Sequence, residues 1–171
     1  MLALTILGFL FEGPLHGYEL KKRVVELTGH ARPVSDGTLY PAITRMHRAG
    51  LVDRVEHAGT GPSRYVLTIT DDGRRELRRR LGEPAEQDIT DFTRFAVVLT
   101  FLSLLDEPDQ RRAVLRRRLA FLELPVSFFY DGDRPLRAED VTDNYRRGLL
   151  TIARATSRAE RAWLREALEL E

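Results

Sequence analysis

The hydrophobic period of this chain changes twice, and each change narrows the folds open to it. Up to Gly50 apolar side chains recur at helical spacing; over Leu51 to Ile69 they follow strand spacing; beyond Thr70 the helical spacing returns. The spacing predicts a first helix over residues 2–11, almost wholly apolar and stopped by Glu12-Gly13-Pro14. A second helix, His16 to Thr28, aligns Leu20, Val24 and Leu27 on one face and closes at Gly29. After a turn holding Pro33, a third helix starts at the capping residues Ser35-Asp36, turns Leu39, Ile43 and Met46 inward and ends at Gly50. Pro41 is expected near its first turn, where a missing N–H costs least. Leu51 to Glu56 and Arg64 to Ile69 read as short strands joined by the Gly-rich segment 57–63.

Thr70-Asp71-Asp72-Gly73 opens a further helix with a capping threonine and early acids, and Gly82 with Pro84 marks the expected boundary between a domain of residues 1–82 and one of 83–171. The second part is helical by pattern. Ile89, Phe92, Phe95 or Ala96, Leu99 and Leu102 form one run, and Ala113, Val114, Leu115, Leu119 and Leu122 another that stops at Pro125. Val126 to Pro135 reads as a loop with the aromatic cluster Phe128, Phe129 and Tyr130. From Ala138 onward only Gly148 interrupts the helical pattern, which as one helix of ~33 residues would be roughly 50 Å long. A helix of that length is expected to pack on another chain.

Composition excludes several chemistries. With no cysteine there is no disulfide framework and no thiolate metal site. The four histidines, His16, His30, His47 and His57, lack metal-ligand spacing, and no HExxH, P-loop, GxGxxG or nucleophile elbow occurs. The chain is therefore read as a non-enzyme with no cofactor. No run of about 18 apolar residues is present to span a membrane, and the opening MLALTILGFLFEGP lacks the basic start and cleavage site of a signal peptide. A cytoplasmic location is expected. Charge is uneven: residues 1–82 hold 13 Lys+Arg against 9 Asp+Glu, whereas residues 83–171 hold 14 against 17. That asymmetry suits a polyanion for the first part and a protein surface for the second.

Three helices followed by a two-stranded hairpin give the order of a winged helix-turn-helix, so the expected fold is mainly α, with an all-helical second domain and a long last helix. In such a fold the third helix enters the DNA major groove and the hairpin reaches the neighbouring backbone or minor groove. The exposed set on that helix would be Thr38, Tyr40, Pro41, Thr44, Arg45 and Arg48. Ser35, Thr38 and Tyr40 offer hydroxyls to phosphates, and the helix N-terminus favours an anion. Arg64 would stand at the base of the wing. The Arg74 to Arg80 run is read first as a solvated face. These residues leave two readings open: a regulator that binds DNA, and a winged-helix protein–protein interaction module without specific DNA binding.

Three segments, Gly13-Pro14-Leu15-His16-Gly17-Tyr18-Glu19-Leu20, Ser35-Asp36-Gly37-Thr38-Leu39-Tyr40-Pro41-Ala42-Ile43 with Gly50-Leu51-Val52, and Arg64-Tyr65-Val66-Leu67-Thr68 with Gly73, resemble the PadR family of bacterial transcriptional regulators. The second half resembles the longer PadR subgroup with a helical dimerisation domain, on Tyr145, Gly148-Leu149 and Trp163-Leu164. The resemblance places Ser35, Thr38, Tyr40 and Pro41 on the recognition helix, Lys22 on the second helix and Arg64 at the wing. Val66 departs from the aromatic usual there, and His47 stands where an acid is common. What the resemblance implies is a homodimeric repressor on an inverted-repeat operator of double-stranded DNA, released by a small hydrophobic or aromatic effector. Phe92, Phe95, Phe128, Phe129, Tyr130 and Trp163 are the residues that such an effector pocket would draw on.

Overall fold

The computed structural model describes residues 1–29, 34–56, 65–124, 130–131 and 134–170. Packing divides the chain into two compact units, Met1–Glu107 and Pro108–Glu171.

The first unit is built around α1 (Leu2–Glu12), whose apolar sequence has no polar side to turn outward. Leu4, Ile6, Leu7 and Leu10 are all buried. After α1 come β1 (Leu15–His16), α2 (Gly17–Thr28) and α3 (Asp36–Arg48), then β2 (Val52–Glu56), β3 (Tyr65–Ile69) and α4 (Asp71–Gly82). α1 touches α2, α3, β3 and α4. Leu20 and Val24 of α2, Leu39, Ile43 and Met46 of α3 and Leu77 and Leu81 of α4 are buried, the faces that helical spacing predicts. Full burial of each such side chain contributes about 1.5–3 kcal/mol before entropy is counted.

The sheet has one strand more than the expected hairpin. β1 pairs antiparallel with β3 through Leu15↔Leu67 and His16↔Val66, giving the order β1-β3-β2. Two residues are too short to show a strand period, so only their neighbours in space reveal them. Tyr65 to Ile69 pair with Val52 to Glu56 in simple antiparallel register.

Where the third helix passes into the sheet, three backbone segments converge. The Thr70 amide donates to the Leu51 carbonyl (3.2 Å), and the Thr70 hydroxyl donates to the Gly50 carbonyl (2.6 Å) while accepting from the Gly73 amide (3.0 Å). One threonine thus caps α4 and ties it to the end of α3. Gly73 lies so close that a Cβ there would overlap the Leu51 carbonyl and stand 2.8 Å from Ile69 Cγ1.

The packing break falls at Glu107, later than the Gly82–Glu83 boundary expected from punctuation. α5 (Glu86–Thr90) and α6 (Phe92–Phe101) belong to the first unit. The reason is apolar: Phe101 meets Phe9 edge-on, with ring centroids 5.1 Å apart, and Ile89, Phe95 and Val98 are buried.

The second unit pairs α7 (Pro108–Glu123) with α8 (Asn144–Leu170), and between them lie the two-residue strands β4 (Tyr130–Asp131) and β5 (Arg134–Pro135). This small ladder departs from the all-helical expectation. The last helix has 27 residues and starts at Asn144 rather than Ala138. Asp143 accepts the Arg146 amide at 2.8 Å and so acts as the N-cap, and Ala138–Asp140 forms a separate 3₁₀ turn. Between α7 and α8, the buried Arg118 grips Glu160 with two hydrogen bonds of 2.7 and 3.0 Å. Among the described residues no helix is long and apolar enough to cross a membrane.

Two stability predictions follow from α4. Gly73→Ala should destabilise the protein by about 1–3 kcal/mol through overpacking against backbone, read as a lower urea midpoint. One turn further along α4, the Arg79 guanidinium, against a smaller effect of burial and aided by Arg80, holds the Glu76 carboxyl at about 2, below its ordinary 4.5. A carboxyl depressed by folding adds stability that is complete above 4.5 and disappears as pH falls toward 2. Glu76→Gln should therefore lower the urea midpoint at pH 7 and flatten its fall between pH 4.5 and 2. Parallel pH profiles for the two proteins would show that the pair stabilises nothing.

Candidate nucleic-acid interface

α3 begins at Ser35, whose extended backbone (φ −79°, ψ 160°) lets the helix start at Asp36. Its hydroxyl meets the Thr38 hydroxyl at 3.1 Å, so two hydroxyls share one corner at the helix N-terminus. Both residues are exposed. The Asp36 carboxylate is neutralised by Lys21 of α2 at 2.9 Å, which ties the two helices together beside that corner. Lys22, the lysine singled out from sequence, is more exposed and lies 3.9 Å from Glu26 on its own helix.

Tyr40 is 43% exposed, with its remaining surface against the start of α2: a Cβ at Gly17 would stand 3.3 Å from Tyr40 Cε1. The ring is thus both packed and presented, which combines the structural and the functional expectations for it. Pro41 is exposed in the second turn, not near the first as expected, because the helix begins at Asp36. Its missing amide removes the bond to the Gly37 carbonyl, and Gly37 is itself exposed, where water can serve that carbonyl.

Thr44 is half-buried, and its hydroxyl accepts from Arg54 of β2 at 2.8 Å. The sheet therefore holds the middle of α3 directly. Farther along, Arg45 and Arg48 are exposed on the last turns, and among the described residues neither has an ion-pair partner. His47 is engaged by the fold, its Nδ1 2.8 Å from the Val52 carbonyl. Arg64 lies outside the described residues; Tyr65 beside it opens β3 and is 50% exposed. Lys21, Arg54 and Gly17 are the positioning residues that sequence reasoning missed, since each acts on a partner more than 9 positions away.

The arginine run of α4 is occupied by structure. Arg79 and Arg80 share Glu76 at 2.8 and 2.7 Å, Arg75 pairs with Asp72, and Arg74 and Arg78 lie over the Phe11 ring at 4.7 and 5.6 Å. This agrees with its reading as a helix face rather than a DNA patch.

The residues expected to line an effector pocket are dispersed. Phe95 is a core side chain, 1% exposed, and Phe92 is 57% exposed, both in the first unit; Trp163, in the second, is 45% exposed. Phe128 and Phe129 lie outside the described residues, and Tyr130 opens β4. A cavity of about 630 Å³ lies in the second unit, and Trp163 is not among its described lining residues.

A family model described as the transcriptional regulator PadR-like family matches residues 6–79. The negative transcriptional regulator PadR of Bacillus subtilis (strain 168) is 28% identical over 126 residues, which cover 71% of this chain and 69% of that protein. Among solved structures, Bacillus subtilis PadR in complex with operator DNA is similar with a TM-score of 0.44 at 22% identity, covering 99% of this chain and 97% of its own. A PadR-like transcriptional regulator from Bacillus cereus gives 0.42 at 20% identity, with coverage of 98% and 93%. The chain therefore carries, over residues 6–79, the domain of the PadR-like family of transcriptional regulators.

Proposed function

We propose that this protein is a cytoplasmic, homodimeric repressor that binds an inverted-repeat DNA operator through α3 and the wing. The observation that carries the reading is the exposed row on α3, Ser35, Thr38, Tyr40, Pro41 and Arg45 with Lys22 beside it, on a helix held at its start by Lys21 and at its middle by Arg54. Ser35, Thr38 and the helix N-terminus meet phosphates, Tyr40 and Pro41 face base edges, and Arg45 adds charge. Thr44 acts at the same surface through its bond to Arg54, and Arg64 grips the backbone from the wing.

Dimerisation is supported by the outer face of α8. Tyr145, Leu149, Ile152, Ala159, Trp163 and Leu170 fall on a 3.5-residue repeat and are all exposed in the single chain, while Leu150 and Leu164 face inward. Two recognition helices must sit about 34 Å apart to fit successive turns of DNA, so a change in dimer angle changes affinity. A small apolar effector releases the operator if it favours the misfitting angle, and its strength is limited by that preference.

Titration against the promoter duplex upstream of the gene and a scrambled duplex, at about 0.15 M salt, tests the reading. One dimer should prefer the promoter by at least about 10³ and lose affinity steeply with added salt. Equal weak binding to both duplexes would return the domain to a protein-binding role. Tyr40→Ala should cost about 1–3 kcal/mol of operator affinity and leave the chain folded. Ile152→Glu should yield monomers by sedimentation, with operator binding weakened in proportion; a dimer that persists would remove α8 from the interface.

A further inference from the structure

The cavity of the second unit is distinguished by its charge. It encloses about 630 Å³, and its described lining includes Arg134, Arg137, Arg154, Arg158 and Arg161 but no acid. Arg154, Arg158 and Arg161 follow one another at i, i+4 and i+7 on α8, so one helix face presents three guanidinium groups, and β5 with the residue pair after it brings the other two. Apart from Ser157, the rest of the described wall is apolar, chiefly Phe121, Leu122, Leu124 and Leu136.

Among the described residues these arginines are oriented by carbonyls more than neutralised by carboxylates. Arg154 donates to the Leu136 carbonyl, Arg161 donates to the Ser157 carbonyl at 3.3 Å, and only Arg137 has a carboxylate, Glu139 at 3.3 Å. Among the described residues Arg134 and Arg158 have no ion-pair partner. Other arginines of the same unit do have one: Arg165 pairs with Glu123 at 2.6 Å, Arg118 with Glu160 at 2.7 Å and Arg112 with Asp109. Like charges gathered in a concave, partly apolar site repel one another and raise the local potential, which favours an anion of several charges. Guanidinium forks match phosphate oxygens two at a time, and the volume falls within the roughly 300–1,000 Å³ of small-molecule sites.

We propose that this cavity binds a phosphate-bearing organic anion of three or more charges, its phosphates on the arginines of α8 and β5 and its organic body on Phe121, Leu122 and Leu136. None of its described lining residues belongs to α3, and Phe92, Phe95 and Trp163 are not among them.

The full-length protein tests this without DNA, so the result does not depend on the repressor reading. Adenosine triphosphate and inorganic pyrophosphate serve as probes in calorimetric titrations, with the fluorescence of the single tryptophan, Trp163, as a second signal. Adenosine triphosphate should bind once per chain, and the Arg134→Gln/Arg158→Gln protein should bind it at least about tenfold more weakly. Both arginines are exposed, so circular dichroism and thermal unfolding should match the unaltered protein; Arg158→Gln alone should give a smaller loss in the same direction. No binding to the unaltered protein, or equal binding to the variant, overturns the site. Pyrophosphate binding as tightly as adenosine triphosphate overturns the role of the apolar wall. Displacement of the nucleotide by a scrambled duplex, or a changed dimer mass in the variant, would assign the arginines to nucleic acid or to a second copy and likewise overturn the proposal.

Discussion

The geometry of the first unit depends on a junction of backbone atoms, the meeting of Gly50-Leu51 with Thr70 and Gly73. The Gly50 and Leu51 carbonyls leave the end of α3, and Thr70 takes both while capping α4. A helix end must satisfy its last carbonyls, and a strand exit must satisfy its own amide; here the two needs are met by each other. Because Gly73 carries no side chain, α4 can come down onto this turn. The orientation of α3 relative to the sheet is therefore set by short, directional bonds, and Lys21–Asp36 and Arg54–Thr44 act as further restraints along the helix. The proposed DNA contacts would need this rigidity, since a shift of about 1 Å in a site's groups is enough to spoil contact geometry.

Much of this was legible in the sequence because it is periodic. The burial of Leu39, Ile43 and Met46 on α3 and of Leu20 and Val24 on α2 follows from spacing alone, as does the cap at Thr70. What spacing cannot carry is pairing across the chain. β1 is too short to have a period, and Lys21, not Lys22, reaches Asp36 because of how α2 crosses α3. Punctuation misled in the same way at Gly82-Glu83-Pro84: the turn is real, yet Phe95 and Phe101 continue the core of the first unit beyond it. In the last helix the apolar pattern extends back past its true start, and a local competitor, the Asp143 side chain, decides where the backbone becomes helical.

The two units use arginine differently from each other and from what a charge count suggests. In the first, the dense run on α4 is engaged by Glu76 and Asp72 of the same helix, while Arg74 and Arg78 lie over the Phe11 face of α1. The exposed cations at the end of α3, Arg45 and Arg48, are not balanced in that way. In the second unit Arg118 is buried, and such a residue is stable only if its partner stays charged and in place, because the desolvation it suffers is recovered mainly through that ion pair.

That distinction bears on how the second unit could respond to a ligand. Arg118–Glu160 fixes the side of α8 that faces α7, whereas Arg154, Arg158 and Arg161 lie on the cavity and the apolar repeat from Tyr145 to Leu170 lies outward. One helix thus carries a rigid anchor, a charged wall and a face suited to a second copy. An anion that draws α8 and β5 toward each other works against the anchor on one side and alters the presentation of the outer face on the other. By linkage, an anion in the proposed site would change the proposed dimer only as far as its affinity differed between two arrangements of that helix. The clustered guanidinium groups would give it such a difference to act on, since an anion among them relieves their mutual repulsion.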